Sequence, residues 1–416
     1  MKKIIALALA ALLLTAGCTP GGKVTSLTED VEPSSEEATA AEPCSDYDPA
    51  VTFGLSLFSK AAENGDENPV LSPLSAYLCL AMVQNGAGSD TLKEFEQVLG
   101  ADTDGVNSIS RALIQSLTST EGDTKLSIAD SAWADDDHAQ IREDYLQTIT
   151  DNFGADVFTA DLPSDAALQA INAWVNEKTN GLIPTLHEQN YPDSTVLVLL
   201  STIYLKAKWQ NEFLGSDTYD GDFTPAGGAA VSVPFLHAQE SRRDYINADG
   251  AEGILLPYND GKTAFIALRP TDGSDIRAFI SSLTAERLAA YIGSASETLV
   301  NFSMPKYTIE YSLYLNDILK EMGLNLVFDS GSADLSGMGT GVNGPLYLSW
   351  VFQKVKIEVN EEGTEAAAVT EAAMTESAMM PTEPPAELHL DSPFFYAVVD
   401  LSSGVPLFMG VLDDPS

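Results

Sequence analysis

The chain reads as an α+β protein folded as one unit, and three observations lead there. Apolar residues make up 44% of the 416 positions, enough for one large core or two ordinary ones. Helical spacing of apolar residues dominates the early part and strand-like runs the later part. No internal repeat divides the chain.

The elements follow in order. Residues 1–17 are read as a signal peptide. Lys2-Lys3 precede an apolar run from Ile4 to Leu14, too short for a spanning helix, which needs about 20 residues. Residues 18–46 are rich in Thr, Ser, Glu and Pro, as in Glu36-Glu37-Ala38-Thr39-Ala40-Ala41-Glu42-Pro43. That composition predicts a flexible acidic spacer, leaving the domain over 47–416. Phe53, Leu57 and Phe58 recur at helical spacing, and Leu74 to Asn85 predicts a second helix. Lys125 to Trp133 and Thr195 to Leu205 read as buried strands, and Ala167 to Lys178 as an amphipathic helix. Beyond Val231 strands prevail: Gly253–Leu256, Thr263–Leu268, Thr298–Met304, Lys354–Val359, Phe394–Leu401 and Pro406–Leu412.

Charge and chemistry-bearing residues exclude several classes. The formal charge of −40 argues against nucleic acid or heparin as partners, because phosphate and sulfate are held by clustered Lys and Arg. Cys18, Cys44 and Cys79 give no disulfide framework, and Cys79 lies among apolar helical residues where a buried free thiol is expected. His138, His187, His237 and His389 are scattered, so neither a metal site nor a cofactor is expected. An enzyme is not expected either, for the chain has no Gly-x-Ser-x-Gly elbow and no His-Glu-x-x-His.

The stretch from about 361 to 392 is anomalous, being long and without apolar periodicity. It opens Glu361-Glu362-Gly363-Thr364-Glu365-Ala366-Ala367-Ala368. From Thr364, one alternate set is Thr364, Ala366, Ala368, Thr370, Ala372 and Met374, with no charge. The other set carries Glu365 and Glu371. Period two fits a half-buried strand, and no proline removes a donor until Pro381. Taken alone, the composition also fits a helical or disordered Ala/Glu linker.

Two resemblances order these readings. Leu14-Thr15-Ala16-Gly17-Cys18 resembles a bacterial lipoprotein box, which implies cleavage before Cys18 and lipid on its sulfur, with plain secretion as the alternative. The hinge-like run resembles that of the serpins, and other motifs agree in order. They are Asn68-Pro69-Val70-Leu71-Ser72-Pro73-Leu74-Ser75; Ile171-Asn172-Ala173-Trp174-Val175-Asn176 with Thr179-Asn180-Gly181-Leu182-Ile183; and Leu200 to Trp209. Met304-Pro305-Lys306, Met322-Gly323, Ala333-Asp334-Leu335-Ser336-Gly337, Pro393-Phe394 and Pro406-Leu407-Phe408-Met409-Gly410 complete the set.

The resemblance implies a serpin-like single domain with mostly N-terminal helices, three β-sheets and an exposed reactive-centre loop. It implies an inhibitory serine protease inhibitor that is cut in this loop and inserts it into a sheet, with Glu361 to Ala368 as hinge. Where the sheet parts it implies a polar cluster containing Ser72, Ser75, Ser201, Trp209 and Gln353. The family's histidine and asparagine are here Gln353 and Ser201, so a Gln353–Ser201 hydrogen bond is expected in their place. Counting about fourteen residues from Gly363 puts the scissile bond at Ser377-Ala378, with Met374, Met379 and Met380 as competitors.

No Lys or Arg follows Lys356, so trypsin-like proteases find no site. Elastase-like or subtilisin-like serine proteases fit, and papain-like cysteine proteases stay open. The expected protein is an extracellular monomer, lipid-anchored or secreted, that meets a membrane only through its anchor. A non-inhibitory surface binding protein on the same fold is the alternative.

Overall fold

The computed structural model describes residues 24–35, 44, 46–65, 67–118, 124–342, 344–364 and 384–416. The signal peptide, Cys18, the scissile candidates Ser377 and Ala378, the competitors Met374, Met379 and Met380, and the hinge residues Glu365 to Ala368 lie outside the described residues.

Three sheets form among the described residues. The seven-stranded one runs Thr25–Ser26, Asp156–Ala160, Lys125–Asp135, Leu197–Lys208, Gly363–Thr364, Trp350–Val359 and Tyr307–Tyr314. Leu197–Lys208, called here the central strand, is buried through its first nine positions. Its near-continuous apolar run follows from cover on both faces. On the outer face lies the helix Asp165–Lys178, whose Ile171, Trp174 and Val175 share a core with Val198, Leu200 and Phe352. On the inner face lies the helix Pro73–Gln84, all of whose residues are buried. Its sequence is apolar all round because it has no solvent side. Pro73 occupies its first turn, and the Ser72 side chain accepts from the Ser75 N–H as its cap.

The nine-stranded sheet runs Ala386–His389, Ser296–Pro305, Val231–Ala248, Ala251–Pro257, Thr263–Pro270, Phe394–Asp400, Pro406–Leu412 and Val70–Leu71, with Tyr219–Phe223 pairing on Val231–Ala248. Every residue of the two C-terminal strands is buried. The third sheet joins Ala139–Ile141 to Gly339–Gly341.

The structure corrects two expectations. Part of the supposed flexible spacer is docked: Thr25–Ser26 pairs antiparallel with Phe158–Thr159, and Leu27 N–H donates to Val157 O at 2.7 Å. Ser34 donates through N–H and Oγ to Asp151 at 2.8 and 2.6 Å. Backbone pairing, short polar side chains and three isolated apolar residues, Val24, Leu27 and Val31, packed against the cores hold it, too few to give an apolar period. The loop also ends earlier than 392, because Ala386–His389 already forms a strand parallel to Val300–Ser303.

Candidate functional site: the hinge and the sheet seam

The loop leaves from a strand, Trp350–Val359, called here the leading strand. Its first four residues pair in parallel with the central strand, Trp350↔Val198 through Gln353↔Ser201. At the other end Gly363–Thr364 lies between the two strands, with Thr364 opposite Val359 on one side and Ala207 on the other. The slot is narrow. A Cβ on Gly363 would stand 2.0 Å from the Ala207 carbonyl oxygen, so only glycine lets the backbones approach this closely.

The turn before Gly363 is tied down by groups from four directions. Asn360 accepts through Oδ1 from the N–H of Glu362 and Gly363 at 3.0 and 3.2 Å. The Trp209 indole N–H donates to Asn360 O at 2.9 Å, and its backbone N–H donates to Glu362 O at 2.8 Å. The ring of Trp209 stacks on Tyr258 at 4.8 Å, whose hydroxyl bonds the buried Thr364 hydroxyl. Lys306 Nζ lies 2.9 Å from Glu361 Oε2, and the Thr218 hydroxyl donates to Oε1 at 3.0 Å. Burial pushes the Glu361 carboxyl up. Lys306, the local backbone and Thr218 more than reverse that, holding it below its ordinary value.

Below the hinge lies the polar cluster. Gln353 makes two bonds to the backbone of Ser72: Ser72 N–H donates to Oε1, and Nε2 donates to Ser72 O, each at 2.9 Å. Ser201 donates to Ser75 O at 2.9 Å, and the two serine hydroxyls are also in contact. The expected Gln353–Ser201 bond does not form. The two residues are register neighbours, but each turns to the amino end of the helix Pro73–Gln84. A buried polar group must be satisfied, and that helix end offers backbone donors and acceptors.

Ser72, Ser75, Ser201 and Gln353 therefore converge on the seam, whereas Trp209 belongs with the hinge above it. Sequence reasoning missed Asn360, Tyr258, Lys306 and Thr218 at the hinge, and Asp130 at the seam. Asp130 is buried and contacts the Ser201 hydroxyl. A lone acid within the apolar run Lys125–Trp133 was its signal, since charged residues are seldom fully buried. No His, Cys, Asp and Glu group able to hold a metal forms among the described residues.

Known proteins match this architecture closely. The family model described as Serpin (serine protease inhibitor) matches residues 49–415. Iripin-8 of Ixodes ricinus is 30% identical over 371 residues, covering 87% of this chain and 91% of its own. Serpin-Z2A of Oryza sativa subsp. japonica is 31% identical over 414 residues, covering 88% and 96%. The crystal structure of a thermophilic serpin, tengpin, in the native state superposes with a TM-score of 0.87 at 29% identity, over 94% of this chain and all of that one. The same protein in the latent state gives 0.77. The family match, the three sheets and the strand Gly363–Thr364 set between the central and leading strands agree, and this chain is a member of the serpin family.

Proposed function

We propose that this serpin is a suicide inhibitor of an elastase-like or subtilisin-like serine protease, with papain-like cysteine proteases as a further target class. The observation that carries the reading is the position of Gly363–Thr364, already bonded between the central and leading strands. The residues that follow continue an uncharged alternate face: Ala366, Ala368, Thr370, Ala372 and Met374. A strand that starts in the slot and meets no charge or proline on its inward face can extend downward by parting the seam.

The chemistry belongs to the protease. Its serine oxygen attacks the carbonyl carbon of the residue before the cut, which we place at Ser377. An ester forms, the amide to Ala378 breaks, and the nitrogen of Ala378 leaves with a proton. Insertion then draws the ester-linked protease away before water can hydrolyse the bond.

The driving force is a new interior strand. About a dozen main-chain hydrogen bonds at about 1 kcal/mol each, less the cost of ordering the loop, leave of order 10 kcal/mol. The uncut molecule is then held by a barrier. We place it outside the cell as a monomer, anchored by lipid on Cys18 or secreted.

Incubation with an elastase-type protease is expected to give a covalent complex stable in SDS, and incubation with trypsin none. Cleavage without a complex, and without a rise in melting temperature of the cut form, would instead identify a non-inhibitory binding protein.

A further inference from the structure

The amino end of the helix Pro73–Gln84 straddles the seam. Gln353 of the leading strand holds Ser72, and Ser201 of the central strand holds Ser75. Parting the strands requires at least one of these attachments to break. On the side away from the seam, Asp130 pairs in register with Ser201 and touches its hydroxyl. Asp130 is 5% exposed.

Ser201 has one hydroxyl hydrogen and three oxygen neighbours: Ser75 O, Ser75 Oγ and Asp130 Oδ1. With Asp130 neutral, the Ser201 hydrogen is free to go to Ser75 O, which only accepts. The Ser75 hydroxyl then donates to Ser201. In that arrangement the contact with Asp130 is a hydrogen bond because the carboxyl itself donates, and all three contacts are satisfied at once. An ionised Asp130 would take the Ser201 hydrogen and leave the Ser75 carbonyl without it.

Among the described residues no Lys, Arg or His acts on this carboxyl. The titratable neighbour from the facing helix is Cys79, whose thiol is pushed up by burial and by Asp130. Beyond it lies Tyr145, kept neutral by burial and donating to Met82 O. A lone buried charge here would be uncompensated.

We propose that Asp130 carries a proton in the native protein and that this proton latches the seam, so that its loss removes one of the two bonds between Ser201 and Ser75 and eases entry of the loop. Burial raises the carboxyl to about 7, with the Ser201 bond opposing. The sign follows from linkage. A carboxyl raised in the folded state stabilises fully below its ordinary range, loses that contribution as pH climbs to about 7, and adds nothing further above. The latching role rests on the insertion reading above, whereas the protonation state does not.

The variant Asp130→Asn keeps the shape and supplies a permanent donor. The urea midpoint of the wild type should fall relative to the variant as pH rises from about 4 to 7 and then run parallel to it. Parallel profiles throughout would overturn the proposal. Infrared spectra should show a protonated carboxyl band in the wild type at about pH 5 that the variant lacks. Absence of that band would also overturn it, and should the variant not fold, the pH titration of the band in the wild type decides.

A synthetic peptide copying residues 364–376 reports seam opening without a protease. Its uptake by the wild type should quicken with pH over the same window, by at most about tenfold per unit, and stay flat in the variant. Flat uptake in both proteins would sink the latch. No uptake in either, with the carboxyl band and midpoint shift present, would keep the proton on Asp130 and refute loop insertion itself.

Discussion

Gly363 and Glu361 hold the hinge by different means, one by shape and one by charge. Replacing Gly363 with Ala puts a methyl group into the Ala207 carbonyl. The Gly363–Thr364 strand should leave its slot, at a cost of about 1–3 kcal/mol. Trp209 would lose its cover, because its stacking partner Tyr258 bonds Thr364. A red shift in tryptophan emission with a lowered urea midpoint is the expected result, and an unchanged midpoint would mean the slot accommodates a side chain. Glu361 behaves oppositely to Asp130. Its carboxyl lies below the ordinary value, so its contribution is present above that value and is lost as pH falls through the lowered one. Acid should therefore release the hinge, exposing the backbone after Asn360 to limited proteolysis, and Glu361→Gln should remove most of that pH dependence.

At the scale of elements, the docked segment 24–35 is the clearest departure from what composition suggests. It covers the strand Asp156–Ala160, which would otherwise be an open edge of the seven-stranded sheet. It also reaches the helix Glu143–Phe153, through Ser34 to Asp151 and through the amide of Gln147, which donates to Glu32 O at 3.0 Å. With each net bond worth about 1 kcal/mol, a chain begun at residue 36 should lose a few kcal/mol in urea denaturation and self-associate more readily. Equal stability of the two forms would show the docking to be incidental. The helix Pro73–Gln84 is the converse case. Its apolar run announced a buried helix, and its Cys79 is buried as expected.

Taken as a whole, the molecule was legible wherever a residue type constrained its surroundings. The buried strands emerged from their apolar runs, and the central strand Leu197–Lys208 was found to within a few residues. The helices Ser89–Leu99, Thr103–Thr118 and Glu143–Phe153 were passed over, their apolar stripes being narrow and interrupted by polar residues. Partnerships were the least legible feature. Gln353 and Ser201 were expected to bond each other, but a sequence does not show that a helix end lies beneath both. Asp130 left one mark in the sequence, a lone acid in an apolar run, but its contact with Ser201 follows only from the strand register. The charge of −40 acts at this scale too. Capture of a basic protease should slow as salt is added and that of an acidic one should quicken, which stopped-flow association rates can measure.

The final two strands, Phe394–Asp400 and Pro406–Leu412, are buried along their whole length, the first of them between Thr263–Pro270 and its C-terminal neighbour. Severing the loop upstream of Ala386 breaks the covalent chain yet leaves that tail enclosed by hydrogen bonds and apolar neighbours. A nicked molecule should therefore elute from a sizing column as one particle and separate into a long and a short polypeptide only under denaturing conditions.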